Sequence, residues 1–308
     1  MKKIVSWLLC STLLLGVFSL PAAAYSSKEP VNDTAGQILE GIFNGTTYEV
    51  ERNDIVIEPD QPGLSDEEKN TRLYGFHFPD FVWVEDTLYA YFIKWNDAEG
   101  KCGIGLATSD DGGLSFDYKG MVIYPGESYD MAMASFPGVW YENGTFYIVY
   151  ESEPAGGHAS IALATSADGI HFTKQGLIIQ YDPAVKWQKG NIGTPDLFKE
   201  EDTWYVTFHA FGINESNPDS NRNYDNQICV AYGTDLKNLT VHPEPVIKAS
   251  TVADAIDSGT LGRRDIIKYG GYYYMIYEVS SDAAPGHAYY DFSGSMWSHT
   301  VALSLIHI

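Results

Sequence analysis

Three aspartates, Asp80, Asp196 and Asp265, recur at one place in a repeated stretch, each directly after Pro79, Pro195 or Arg264. Glu151, His209 and Glu278 recur at a second place, where a following strand would end. His77, Arg263 and Arg264 stand close by in sequence, with Trp95 and Trp187 in or beside loops. Carboxyls that converge on one cavity need not ionise alike. One is driven to keep its proton and acts as an acid, while another stays charged and acts as a base. Such a pair, with aromatic faces to stack a ring, is what cleavage of a bond between sugars requires. These carboxyls are candidates for such an acid and base, and Arg264 is a candidate to bind a sugar hydroxyl or carboxylate. Each residue also has a structural reading. An Asp after Pro at a strand start can bond nearby backbone N–H groups. The glutamates can be solvated strand ends, and His77 and His209 can be satisfied structural histidines.

The elements that must position these residues are hairpins. Phe78-Pro-Asp-Phe-Val-Trp to Trp95 reads as one, and it returns at Phe136 to Glu151, Thr194 to His209 and Arg263 to Glu278. Pro79 to Pro137 is 58 positions, Pro137 to Pro195 is 58 again, and Pro195 to Arg264 is 69. A strand repeat of this length is the signature of a propeller blade. Each blade reads as four strands. The first has Phe81 to Val84, Leu88 to Ile93, Ile104 to Thr108 and Tyr118 to Tyr124. The second adds Ile161 to Thr165 and Leu177 to Tyr181, and the third Ile228 to Tyr232 and Val246-Ile247. Asn143-Gly144 and Gly270-Gly271 supply the positive-φ residues of two-residue turns. The fold expected is all-β, a five-bladed β-propeller of four-stranded blades. In the fourth blade His299 to Ser304 starts a third strand and the sequence then ends, so part of blade four and all of blade five are expected to be missing.

The same repeat tells which face carries chemistry. Strand-one starts, strand-two ends and the loops into the next blade share a face. The long irregular segments 125–135, 182–193, 211–226 and 248–262 fall there, whereas short turns occupy the opposite face. Long loops on a rigid scaffold are where sites usually lie. Gly138 holds in blade two the place that Asp80, Asp196 and Asp265 hold elsewhere.

Composition narrows the partners. The 308 residues hold 41 acidic and 19 basic side chains, a net charge of -22. A nucleic-acid partner is excluded, because phosphate binding needs a basic face. Residues 1–24 read as a secretory signal: Lys2-Lys3, an apolar run from Ile4 to Leu20, and the cleavage site Ala22-Ala-Ala24. The mature protein is therefore expected to be secreted, extracellular or periplasmic, and monomeric. Residues 25–60 read as a leader with a possible ring-closing strand at Asp54 to Glu58, and residues 61–308 as the propeller catalytic domain. No later stretch is apolar and long enough to span a bilayer. Cys102 and Cys229 read as buried free thiols, with a disulfide as the alternative.

Ser109-Asp-Asp-Gly-Gly-Leu-Ser-Phe116 and Ser166-Ala-Asp-Gly-Ile-His-Phe172 are Asp-containing turns that fall on the face opposite the candidate site. Their Asp is expected to cap the turn. Similar turns occur in sialidases, but a sialidase needs three clustered arginines, and the chain after residue 24 has only Arg52, Arg72, Arg222, Arg263 and Arg264. No contiguous calcium loop is visible. No metal is assigned and no cofactor is required, with a structural calcium as the possibility left open.

The hairpins, taken with these turns, resemble the five-bladed propeller glycosidases, glycoside hydrolase family 43 and its relatives, over about residues 75–304. The resemblance implies an inverting hydrolase of a polysaccharide or oligosaccharide, with an Asp base that activates water, a second Asp that orients and tunes, and a Glu acid; on this chain those roles are expected of Asp80, of Asp196 and Asp265, and of Glu151 or Glu278. The family's base precedes the Pro of the first hairpin; here Phe78 precedes Pro79 and Asp80 follows it. The family's Glu has no clean counterpart, since this chain reads Thr194-Pro-Asp196 and Gly262-Arg-Arg-Asp265. Two alternatives stand beside hydrolysis. One is a glycoside phosphorylase with Arg263-Arg264 holding phosphate, as in the mannoside phosphorylases. The other is a non-catalytic glycan-binding propeller.

Overall fold

The computed structural model describes residues 77–96, 101–188, 190–213, 224–250, 252, 255–269, 272–281 and 298–304. The expected signal, leader, ring-closing strand and Gly270-Gly271 turn lie outside them.

Strand-forming composition dominates these segments, and they are nearly all β. Blade one comprises β1 (His77–Val84), β2 (Thr87–Asn96), β3 (Lys101–Ser109) and β4 (Asp117–Ile123). Blade two comprises β5 (Met133–Glu142), β6 (Thr145–Glu153), β7 (Ser160–Ser166) and β8 (Thr173–Ile179). A short 3-10 turn, Lys186–Gln188, leads to β9 (Asn191–Glu200), β10 (Thr203–Ile213), β11 (Tyr224–Gly233) and β12 (Thr240–Val241) of blade three. The fourth unit is β13 (Thr260–Tyr269), β14 (Tyr272–Ser280) and β15 (Ser298–Ser304).

Within each unit successive strands pair antiparallel, as meanders must when short turns join them. One parallel pairing, Cys102 with Met133, stitches blade one to blade two. Blade three departs from the expected pattern. Its fourth strand pairs at Thr240–Val241, and the expected Val246-Ile247 makes only an isolated bridge from Ile247 to Ile228. Pro243 and Pro245 lie between the two, and proline cannot donate to a ladder. A fifth blade has no counterpart among the described residues.

Two-residue turns close the inner hairpins with a positive φ at their first position: Glu85 at 51°, Asn143 at 51° and Glu201 at 51°. Only Asn143-Gly144 carried the usual sequence signal for this geometry.

The core lies between blades. Val82, Tyr91, Ile104 and Leu106 of blade one pack on Val139, Ile148 and Tyr150 of blade two. Trp140, Val149 and Leu163 pack on Leu197, Trp204, Val206 and Phe208 of blade three. Ile228 packs on Leu261, Tyr277 and Val279 of the fourth unit. Cys102 and Cys229 are buried and free. Burial pushes the Cys102 thiol up to about 12, so it behaves as an inert apolar side chain.

Candidate active site

The inner strands β1, β5, β9 and β13 each carry a bulge at the same place. Register slips between His77 and Asp80, between Ser135 and Gly138, and between Leu261 and Arg264; β9 slips against β10 between Thr207 and His209. In the first three strands the residue before the proline has a positive φ: Phe78 at 51°, Phe136 at 48° and Thr194 at 42°. This is an uncommon conformation for a non-glycine residue, and a following proline disfavours it further. Bulges of this kind re-aim side chains. Here they turn the pre-proline residues toward the face that holds the predicted carboxyls.

Glu151 is the residue this geometry singles out. It lies near the end of β6 and is buried, and its Oε2 accepts the backbone N–H of Thr194 at 2.7 Å. Its Oε1 has no hydrogen-bond partner among the described residues. A Cβ placed on Gly193 would lie 1.9 Å from Oε2 and 2.4 Å from Cδ, so only glycine leaves room for this carboxyl. Desolvation lifts the Glu151 carboxyl from 4.5 to about 7. The Thr194 N–H opposes the lift, Glu153 adds to it, and Arg264 opposes it.

Around it sits a buried polar cluster. Arg264 is 2 % exposed, and its Nη2 donates to Thr194 Oγ1 at 3.1 Å. Burial lowers its guanidinium to about 10 while the Asp196 carboxylate works the other way, so it stays charged. Thr194 Oγ1 also meets His209 Nδ1 at 2.6 Å. His209 is held neutral, well below the usual histidine range, by burial and then by the Arg264 charge. His209 Nε2, Arg264 Nε and Arg264 Nη1 have no hydrogen-bond partner among the described residues. The cluster therefore holds two Arg264 N–H donors and a His209 ring nitrogen without a partner, with the Glu151 and Asp196 carboxyls nearby.

The remaining predicted residues divide. Asp80 is 7 % exposed; its Oδ1 accepts the N–H of Phe81 at 3.0 Å and its Oδ2 the N–H of Val139 in blade two at 2.6 Å. It thus ties two inner strands together. Asp196 is buried on β9, and its Cα would be 2.8 Å from a Cβ on Gly138. That explains why blade two has no side chain at the matching place. Glu278 accepts the backbone N–H of Arg263 at 3.0 Å. Arg263 reaches across the ring: Nη1 donates to Phe78 O, and Nη2 to Pro137 O at 3.1 Å. Asp265 is half-buried on β13, opposite Ile276. Trp187 packs beside Phe208 in the core between blades two and three, with its indole N–H on Pro243 O. Its ring is spent on packing rather than laid open to stack a sugar. Of His77 and Trp95 only the backbone is described: His77 pairs with Ile93 and Trp95 with Cys102. Sequence reasoning missed Gly193 and Thr194. The signal was present, since Gly193-Thr194-Pro195 holds small residues where the neighbouring blades place Ser135-Phe136 and His77-Phe78.

Among the described residues no group of three or more His, Cys, Asp or Glu side chains is disposed to hold a metal ion. No helix among them is long and apolar enough to cross a membrane. A depression of about 290 Å³ between blades two and three, lined by Tyr147, Trp204, Gln175 and Lys237, opens on the turn face. It holds no carboxyl pair and is not the candidate site.

No family model matches the chain. Sucrose-6-phosphate hydrolase of Escherichia coli is 25% identical over 218 residues, 68% of this chain and 42% of that protein. The chain thus spans less than half the length of this curated relative. A thermostable family-43 glycoside hydrolase superposes with a TM-score of 0.55 at 20% identity, over 75% of this chain and 69% of that one. Its fold is that of the propeller glycosidases. β-1,2-Mannobiose phosphorylase from Listeria innocua, solved with β-1,2-mannobiose, superposes with a TM-score of 0.54 at 14% identity, over 74% of this chain and 71% of that one. One propeller thus supports both hydrolysis and phosphorolysis, and the residues of the site must decide between them.

Proposed function

We propose that this chain is a secreted glycoside hydrolase that cleaves a polysaccharide or oligosaccharide in one inverting step, with Glu151 as the general acid. The observation that carries this reading is the Glu151 carboxyl, buried against Gly193 and lifted to about 7. A carboxyl that holds its proton near neutrality can protonate the departing oxygen, and such groups cluster at catalytic sites. Glu278 is the weaker acid candidate: each carboxylate accepts one backbone N–H, but Glu278 is only half-buried whereas Glu151 is buried. Asp80 is the proposed base. An inverting pair stands about 6.5–9.5 Å apart to admit a water. His209 Nε2 and the two Arg264 N–H groups are suited to sugar oxygens.

Phosphorolysis is the second reading, on the strength of the phosphorylase likeness. Its sequence argument was the Arg263-Arg264 pair. Arg263 holds two backbone carbonyls, and Arg264 is buried against Thr194 and near Asp196. Arg263 is thus spent on the backbone, and Arg264 alone, through Nε and Nη1, is left to meet a ligand, which weakens the case for a phosphate held by the pair.

The test is sugar release from arabinan, xylan, galactan, mannan and aryl glycosides, each with and without phosphate. Phosphate-independent release that falls above about pH 7 supports the reading. Glu151→Gln should abolish cleavage of natural glycans yet spare aryl glycosides whose leaving group needs no proton. Release only with phosphate would establish the phosphorylase, and binding without cleavage would establish a glycan-binding propeller.

A further inference from the structure

His158 stands in the connection from β6 to β7, on the site face, and its ring is exposed yet held on two sides. Its Nδ1 lies 2.8 Å from the backbone oxygen of Gly190, in the segment that enters β9 of blade three. A carbonyl can only accept, so Nδ1 carries a proton and donates it. In the neutral imidazole Nε2 then bears the lone pair. One ring face lies on Tyr181, with centroids 4.2 Å apart and planes at 20°. The supports are themselves tied down. Gly190 N donates to Phe211 O at 2.7 Å, Tyr181 N to Ser160 Oγ at 3.0 Å, and Ser152 Oγ to Ser160 O at 3.0 Å. His158 Nε2 has no hydrogen-bond partner among the described residues. The ring therefore presents an acceptor to solvent in a fixed orientation.

Its place relative to Glu151 follows from the strands. Glu151 pairs with Ile161 and Ser152 with Ser160, so His158 lies just past the end of the hairpin that carries the proposed acid. On blade three Glu151 meets Thr194 and His158 meets Gly190, and these two residues are four positions apart. At about 3.3 Å per extended residue the two contacts are separated by no more than about 13 Å. β9 runs inward from the site face, so Gly190 is the nearer of the two to the mouth. Glu151 and His158 thus line one seam between blades two and three, the acid deeper and the histidine further out. The acid meets the oxygen that departs, so the seam beyond it receives the unit that leaves with that oxygen. Joining the two loops uses Nδ1 alone and gives Nε2 no structural task.

We propose that His158 is a specificity-determining residue for the leaving group, its Nε2 accepting a hydrogen bond from a hydroxyl of the departing sugar. The proposal rests on the hydrolase reading above, with Glu151 as the acid, and adds what the far side of the bond must offer. An acceptor needs a donor, which a sugar hydroxyl supplies and an ionised carboxylate does not.

The experiment uses the whole chain and two substitutions. His158→Asn keeps a side-chain N–H for Gly190 O and removes the Nε2 acceptor. His158→Phe keeps a ring for Tyr181 and removes both nitrogens. kcat/KM is measured on arabino-, xylo-, galacto- and manno-tetraose and on the nitrophenyl glycoside of each sugar, whose leaving group has no sugar hydroxyl. Tm is measured alongside. The readout is the ratio of the tetraose value to the aryl value for the sugar that the parent cleaves. Both variants should lower that ratio about 3- to 10-fold, the weight of one hydrogen bond. A ratio unchanged in both would overturn the acceptor. Loss in His158→Phe with the parent ratio kept in His158→Asn would make the Gly190 tie the contact that matters, and would overturn it as well. So would a proportionate fall on both substrates with a lower Tm, the mark of a structural role. Each of these outcomes leaves the hydrolase reading standing, because the parent cleaves. A parent chain that cleaves neither tetraose nor aryl glycoside would overturn that reading, and the leaving-group role with it.

Discussion

The same functional group meets opposite treatment on the two faces of this propeller. On the turn face, Asp111 Oδ1 accepts N–H groups of Leu114 and Ser115 and the hydroxyl of Ser109, and its Oδ2 accepts the hydroxyl of Ser115. Burial is the largest single influence there and pushes the carboxyl up, but the Ser115, Ser109 and Leu114 donors together outweigh it and bring it down to about 2. Asp168 repeats the arrangement in blade two with His171, Ile170 and Ser166, and is likewise held well below the usual range. On the site face, Glu151 has one backbone donor and is buried, and it moves up to about 7. A carboxylate surrounded by donors in water is finished as a structural cap. One that is desolvated and under-supplied keeps a proton it can give away. Motif strength therefore ran opposite to chemical promise: the repeated Ser-x-Asp turns are the clearest signature and the least reactive groups.

The largest test of this contrast is Glu151→Gln. Losing the acid should lower turnover of a natural glycan about 10²- to 10⁴-fold, the usual weight of general acid catalysis. Steady-state kinetics would show kcat fall with KM little changed. A loss under threefold would place the acid elsewhere. Gly193→Ala should come next. Its Cβ would overlap Oε2 at 1.9 Å, so the carboxyl must move by an ångström or more. Such a displacement can cost about 10²-fold in rate. The kcat of this variant on the same substrate checks it, and wild-type turnover would show that Glu151 is not positioned by this contact.

The third test is thermodynamic and needs no substrate. The Glu151 carboxyl is raised in the folded state, from 4.5 to about 7, so its neutral form favours folding. Its contribution is whole below about pH 4.5 and is lost as pH climbs through about 7. At 1.36 kcal/mol per unit the loss is about 3 kcal/mol. Denaturant midpoints should fall across that window in the parent chain and much less in Glu151→Gln. Equal slopes in both proteins would contradict the buried, uncompensated carboxyl.

Much of the fold was legible because its cause is local. Proline marks three of the four hairpins and alternating apolar residues mark them all, and repetition at 58, 58 and 69 positions makes four weak signals one strong one. The chemistry was harder to read because it depends on contacts between blades. Asp80 follows a proline at a strand start as Asp196 does, but its Oδ2 reaches Val139 in the next blade, 59 residues away. Glu151 read equally as an acid or as a solvated strand end, and only Gly193, in blade three, which makes room for its carboxyl, separates the two. Trp187 lay in a loop segment and still turned into the core, because the 3-10 turn at Lys186–Gln188 directs its indole to Pro243 O. Spacing along one strand cannot report which neighbouring blade a side chain meets.

The smallest predicted effect completes the contrast. Asp168→Ala removes the acceptor of the Ile170 and His171 N–H groups, of the Ser166 hydroxyl and of the His171 ring. These groups sit at an exposed turn, so water can replace most of what is lost, and a capping substitution of this kind costs about 1 kcal/mol. That is a fall of a few degrees in Tm. The turn lies at the opposite end of blade two from Glu151, as β7 runs from the site face to Ser166 at the turn face. Activity at temperatures well below Tm should therefore stay within about twofold of the parent, since a distant site without shared partners couples weakly. A tenfold fall in kcat with an unchanged Tm would show that the turn face takes part in catalysis, and the division between the two faces would have to be abandoned.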